Sequence, residues 1–173
     1  MLARHLDVQF EVSEAKMTNI LLEGVDVTDQ IRTEKRGNAA SKVSQYQGVR
    51  DALLARQRAF HHAPGLIAEG RDMGTVVFTE APLKLYLVAT SEERAKRRFK
   101  ELKDKGVRVK IADLVEEIAE RDRRDRERAV APLRPADDAV IIDTTGLTIS
   151  EVMLRVKTEV SERLDFEPDL QGV

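Results

Sequence analysis

The chain has 173 residues, 42% of them apolar and 35% charged, with a formal net charge of −2. That length supports one or two small domains with a real core, and the near-zero balance argues against general attraction to nucleic acid or membrane, so any anion site must come from local clustering. There is no cysteine, which excludes disulfides and thiolate metal sites and fits the cytosol; no run approaches the ~18 apolar residues of a membrane span, and the first residues lack a signal-peptide core.

Leu6, Val8, Phe10 and Val12 alternate with polar positions, the period of a half-buried strand. Ser13-Glu14-Ala15-Lys16 reads as a hairpin connection, Ile20-Leu21-Leu22 as a second strand, and Gly24 as a turn into Val25-Asp26-Val27. The pattern predicts a small antiparallel unit rather than a βαβ start. From about Asp29 it becomes helical: Ala39, Ala40 and Val43 form a short apolar face, and Gly48 interrupts it. A second helix is expected from Val49 to Phe60, with Val49, Ala52, Leu53, Arg56 and Phe60 along one side.

After Pro64-Gly65 the reading changes to alternating strand and helix. Leu66-Ile67-Ala68 reads as a buried strand, and Glu69-Gly70-Arg71-Asp72-Met73-Gly74-Thr75 follows where it ends. Strand carboxyl ends are where open α/β sheets bind ligands. Gly70 and Gly74 let the backbone turn sharply or approach a bound group; Arg71 offers a planar fork suited to phosphate, and Asp72 accepts from amino or hydroxyl donors. By itself the triplet reads first as a surface turn with a salt bridge, and the rest of the chain is what shifts it toward a binding loop.

Leu83–Val88 is the next expected strand, and Thr90 with Glu93 carries a capping-box signature for the helix behind it. That helix is basic through Arg94, Lys96, Arg97, Arg98 and Lys100, and Gly106 is its expected stop. The following helix, about 111–129, carries Ile111, Leu114, Val115 and Ile118 on one apolar face. Extended, that face meets Arg121, Asp122, Asp125 and Arg128. Buried charges without partners cost several kcal/mol each, roughly. The row therefore reads either as a cleft wall that receives an anion, with aspartates holding guanidinium groups, or as a helix emerging into solvent. Pro132 and Pro135 end it. Ala139–Ile142 is a third buried strand, ending at Asp143-Thr144-Thr145-Gly146. Thr148 and Glu151 form a second capping signature, and Ile149, Val152, Met153, Val156 and Val160 give the last helix its expected buried side.

Several segments in order, Asn38-Ala39-Ala40-Ser41, Val49-Arg50, Leu54–Phe60, Gly70–Thr75, Glu120-Arg121-Asp122 and Arg128–Leu133, resemble bacterial cytidylate kinase, a nucleoside-monophosphate kinase family, from about Leu6 to Val160. The resemblance implies an α/β fold: a P-loop kinase-like parallel sheet flanked by helices, a small α+β CMP-binding insert and a helical lid. It implies a CMP-binding domain over 1–62, a kinase core over 63–164 with a lid at about 92–110, and a flexible tail over 165–173. The implied reaction moves the γ-phosphoryl of ATP to CMP or dCMP with Mg²⁺, in a cytoplasmic monomer that takes no nucleic acid or membrane partner.

The roles implied are specific. Arg50 would donate to cytosine O2 and N3, while Ser41 and Asp72 would accept from the 4-amino group. Uracil presents an acceptor there and would face Asp72 unfavourably. Arg71, Arg121 and Arg128 would hold phosphate groups and act as the catalytic arginines. Asp125, with Arg121, would contact the sugar or orient the arginines. Arg94, Arg97 and Arg98 would close over the transferring phosphoryl as the lid. Phosphoryl transfer rests on positioning and charge neutralisation, which suits such a set.

The family's loop G-x-x-x-x-G-K-[ST] occurs nowhere in the 173 residues, so its phosphate-bridging Lys and Mg²⁺-binding Ser/Thr have no counterpart among them. The sequence opens inside the family pattern, and the expectation is a chain lacking the N-terminal strand and P-loop, inactive alone. That strand is central in the family's sheet; without it, strands at Leu66–Ala68 and Leu83–Val88 would lack a neighbour, at about 1–3 kcal/mol for each buried unpaired backbone group. Glu69 is a weaker candidate for ordering Mg²⁺ through water. The competing readings are a non-catalytic CMP-binding fragment and an RNA-interaction module built on the basic helices.

Overall fold

The computed structural model describes residues 5–12 and 18–164. The expected hairpin connection at Ser13–Lys16 and the expected tail over 165–173 lie outside the described residues. The chain divides into two compact units: the described residues up to Ala68 together with Arg128–Val130, and Glu69–Glu127 together with the described residues from Ala131.

In the first unit, β1 (Val8–Val12), β2 (Thr18–Leu22) and β3 (Val25–Asp26) form an antiparallel sheet in that order. Val8 lies opposite Leu22, and Leu22 opposite Val25. Glu23 (φ 52°) and Gly24 (φ 76°) make the two-residue turn between β2 and β3. Positive φ at both positions matches the twist of a tight hairpin, which is why the sequence marks it with a glycine. Phe10 is 54% exposed, yet its ring meets Phe60 edge-on at 5.2 Å. Arg56 lies over Phe60 and donates to the Val8 carbonyl at 2.9 Å, tying the sheet to the helix that carries both residues.

The helices of this unit are α1 (Thr28–Ile31), α2 (Glu34–Val43) and α3 (Gln47–Ala59). The Thr33 side chain caps α2 by accepting from the Arg36 N–H. The expected apolar face of α2 is not its buried face. Ala39, Ala40 and Val43 are exposed, and Ser41 is the buried residue, at 6% exposure. Alanines of high helix propensity serve here on the outside, while a polar residue is turned inward.

The second unit is built on a parallel pair, β4 (Leu85–Val88) and β5 (Val140–Asp143), in register Leu85 to Val140 through Val88 to Asp143. The chain passes between them through α4 (Ser91–Asp104) and α5 (Ile111–Glu127), and α6 (Ile149–Arg163) follows. Val77, Ala95, Leu114 and Ile142 are its buried apolar side chains among the described residues. Gly106, at φ 73°, terminates α4 as expected. No helix of the described residues is long and apolar enough to cross a membrane.

The strand expected at Leu66–Ala68 does not form. Residues 65–69 have no regular secondary structure and no ladder partner and are exposed, with Leu66 at 40% and Ile67 at 102%. A strand is defined by its neighbour, and none of the described strands lies beside this segment. Its backbone groups face water, which removes the cost of burying them unpaired. The buried side expected for the last helix is also only partly realised: Val152, Val156 and Val160 are half-buried, but Ile149 is 83% and Met153 38% exposed.

The second capping box is complete. The Thr148 hydroxyl accepts from the Glu151 N–H, and the Glu151 carboxylate accepts from the Thr148 N–H at 2.7 Å. That backbone bond, and then the Thr148 hydroxyl donating to the same carboxylate at 2.7 Å, hold the Glu151 carboxyl below the ordinary glutamate value. A carboxyl lowered in the folded state contributes stability in full above its unfolded value, lost as pH falls through the folded one. Thr148→Ala should lower the melting temperature at neutral pH and make the acid loss of stability shallower, as read by thermal melts over an acid series.

Candidate functional site

Burial selects the site residues before any comparison does. Among the described residues the buried polar or charged side chains are Ser41, Asp72, Asp122, Asp125, Arg128 and Thr144, between 2% and 9% exposed. Buried polar groups are tolerated where they are hydrogen-bonded or needed for function.

In the first unit, Ser41, Ser44, Arg50 and Arg128 form one cluster. The Ser44 hydroxyl donates to the Ser41 carbonyl at 2.9 Å and accepts from Arg128 Nη1 at 2.9 Å, while the Ser44 carbonyl accepts from Arg50 Nη1 at 3.2 Å. Burial, then the nearby Arg128 charge, lowers Arg50 from the ordinary arginine range, though it stays charged at neutral pH. Two guanidinium groups are thus held close enough to repel. Sequence reading missed Ser44, whose signal was its spacing: it stands i+3 from Ser41, on the same side at the end of α2.

In the second unit, Arg71 and Asp72 stand at the entry to a π-helical turn, Met73–Val77. The Asp72 carbonyl accepts from the N–H groups of Val76 (2.9 Å) and Val77 (3.3 Å). Single π turns recur at functional sites because they re-aim the residues before them. Neither of the two glycines has a positive φ. They serve close packing: a Cβ at Gly70 would lie 2.9 Å from the Met73 side chain, and one at Gly74 3.1 Å from Lys84 Cδ.

The charged half of α5 turns inward. Asp122 and Asp125 are 3% and 2% exposed, one turn apart, and each holds an arginine from a different element. Asp125 pairs with Arg71 Nε at 3.2 Å. Asp122 pairs closely with Arg94 of α4. Of the two readings of this row, emergence into solvent is therefore excluded, and aspartates do hold guanidinium groups. Arg121 is half-buried in the same row.

The other expected lid arginines are engaged as well. Arg97 Nη1 donates to the Thr144 hydroxyl at 3.2 Å, Nη2 donates to the Thr144 carbonyl, and Nε donates to Glu93. Arg98 pairs with Glu101 at 2.6 Å. The first capping signature is consequently only half made: Thr90 accepts from the Glu93 N–H, while the Glu93 carboxylate goes to Arg97.

Glu69 is exposed, and no three His, Cys, Asp or Glu side chains among the described residues group as metal ligands. By itself this donor set does not fit a magnesium ion.

A parallel strand pair flanked by helices agrees with a nucleoside-monophosphate kinase fold. The family model for cytidylate kinase matches residues 1–162. The chain is 56% identical to the cytidylate kinase of Aeromonas hydrophila over 163 residues, 94% of this chain and 70% of that protein. It is 58% identical to that of Shewanella amazonensis, over 95% of this chain and 71% of the other, and 55% identical to that of Pseudomonas putida, over 94% and 72%. The chain belongs to the cytidylate kinase family.

Proposed function

We propose that the chain acts in transfer of the γ-phosphoryl of ATP to CMP or dCMP, and that these 173 residues carry the CMP side of that reaction. The observation that supports this most directly is the Arg50–Arg128 pair. Both guanidinium groups donate to Ser44, which sets two cationic forks side by side on one residue. A nucleoside monophosphate supplies a partner for each: an acceptor edge on its base for Arg50 and a phosphate for Arg128.

On this reading Ser41 and Asp72 accept from the cytosine 4-amino group, and Arg50 donates to O2 and N3. Arg71, Arg121 and Arg128 neutralise phosphate charge. Asp125 keeps Arg71 in place and, with Arg121, contacts the sugar. The helix α4 serves as the lid, excluding water from the transferring phosphoryl. No nucleophilic side chain is required, because a group that positions and neutralises suffices for this chemistry. The pairing of basic side chains with acids on α4 and α5 (Arg97 with Glu93, Arg98 with Glu101, Arg123 with Glu120 and Glu127) weakens the field an RNA would need.

Titration calorimetry on the 173-residue chain should give CMP or dCMP the tightest binding, with UMP and AMP much weaker. Equal binding of UMP or AMP would remove the roles of Ser41, Arg50 and Asp72. The phosphate-loop signature is not among these residues, so the same polypeptide with ATP, Mg²⁺ and CMP is expected to bind without turnover. Turnover at about 1–100 per second would mean that other residues cradle the ATP phosphates.

A further inference from the structure

Lys84 lies outside every role assigned so far, yet it is built into the turn that carries Arg71 and Asp72. It immediately precedes β4, and its carbonyl accepts from the Val140 N–H at 2.9 Å, so its backbone is fixed by the start of the parallel ladder. Its side chain is only 10% exposed, and its ammonium is tied to Asp138 at 2.6 Å. Between those two anchors the aliphatic stem runs against Gly74, where a Cβ would lie 3.1 Å from Cδ, 3.3 Å from Cγ and 3.6 Å from Cβ of Lys84.

A long lysine stem ordinarily yields to a neighbour at little cost, because its far end is free. This one is held at both ends, so the contact with Gly74 is set by the middle of a strap. Gly74 belongs to the π turn whose wide spacing is capped by the Asp72 carbonyl, and Asp72 itself is 9% exposed. Within the same loop, Gly70 is packed against Met73. The turn is thus held by a contact of its own and by Lys84 from outside it.

We propose that Lys84, strapped to Asp138 and packed on Gly74, is a positioning residue that fixes Asp72 for discrimination of an amino-bearing pyrimidine from its keto counterpart. This rests on the proposed reading of Asp72 as the acceptor for the cytosine amino group. Lys84 touches no substrate on this account; it acts through the turn. A misplacement of well under 1 Å in an acceptor weakens one of the bonds that tell the two bases apart.

The test is a double-mutant cycle read as the ratio of CMP to UMP affinity by calorimetry on the 173-residue chain. Gly74→Ala should lower the ratio about tenfold, the equivalent of one strong hydrogen bond misaligned. Lys84→Ala should lower it by a similar factor, and Lys84→Met, which keeps a stem but frees its far end from Asp138, should lower it by less than Lys84→Ala. In the Lys84→Ala background the methyl of Gly74→Ala has room, so the double variant should be no worse than Lys84→Ala. Strict additivity of the two changes, or an unchanged ratio in Lys84→Ala, overturns the proposal while leaving the Asp72 assignment standing. A parent chain with no preference for CMP overturns the Asp72 assignment itself and this proposal with it. Melting temperatures of the same variants separate a positioned turn from a merely loosened fold: the ratio should change where the melting temperature changes little.

Discussion

Replacing Arg94 by methionine should cost the fold about 2–3 kcal/mol, below the range for a wholly buried ion pair because the Arg94 side chain is 31% exposed. The member left behind would be Asp122, 3% exposed, with one carboxylate oxygen buried and without a hydrogen-bond partner. Its remaining ion pair would be Arg126, 4.0 Å away and itself 64% exposed at the side chain. Such a charge has no good place to go. The double variant Arg94→Met with Asp122→Leu should recover most of the loss, because it removes both charges together and leaves apolar groups of similar size. Urea denaturation of the parent, both single variants and the double would give the coupling directly. Losses that simply add would mean that Asp122 does not depend on Arg94.

This bears on how α4 could act as a lid. An arginine that must leave Asp122 to reach a phosphate would strand the carboxylate at a cost comparable to the strength of a good phosphate contact. The geometry favours a division of labour, in which Arg94 and Arg97 fasten α4 to α5 and to the end of β5, through Asp122 and Thr144. Any phosphoryl contact then falls to side chains further along the segment whose partners are exposed, as Glu101 is for Arg98. Hinged motion of α4 would then pivot about its first turns rather than carry them.

What the sequence made legible was whatever depends on local chemistry. The Glu23-Gly24 hairpin, the Thr148 cap, the Gly106 stop and the β4 and β5 strands all follow from nearest-neighbour preferences, and each is found within a residue or two of its expected place. The inward charged row of α5 was legible as an anomaly, because Arg121, Asp122, Asp125 and Arg128 continue an apolar stripe. Its partners were not, since Arg71 and Arg94 are 54 and 28 residues distant and no periodicity links them. The Leu66–Ala68 segment failed for a related reason. Three apolar residues state a preference for extended backbone, but pairing belongs to the neighbour, and none of the described strands supplies it. The inward turn of Ser41 on α2 was hidden behind two alanines whose helix propensity imitates a buried face.

The largest functional effect should come from Arg128. Arg128→Met is expected to weaken CMP binding about 100-fold, or roughly 2.7 kcal/mol, while changing the stability of the ligand-free chain by much less. Arg128 is 8% exposed and donates to Ser44, so its removal gives up that charge-assisted bond among others. It also removes the second of the two causes that lower Arg50 from its ordinary range, burial being the first. The two effects oppose each other in the free chain and reinforce each other in the complex, where the phosphate would have joined the charges. Salt gives an independent check. Screening should raise the melting temperature of the free parent by relieving the Arg50–Arg128 repulsion, and should do so less in Arg128→Met. CMP should stabilise the parent by mass action, about 2.7 kcal/mol at a hundredfold excess over Kd, and should have little effect on the variant. A variant that loses as much stability as affinity would make Arg128 a structural residue. A variant that keeps its fold and loses CMP would make Arg128 a binding residue whose charge serves the ligand more than the fold.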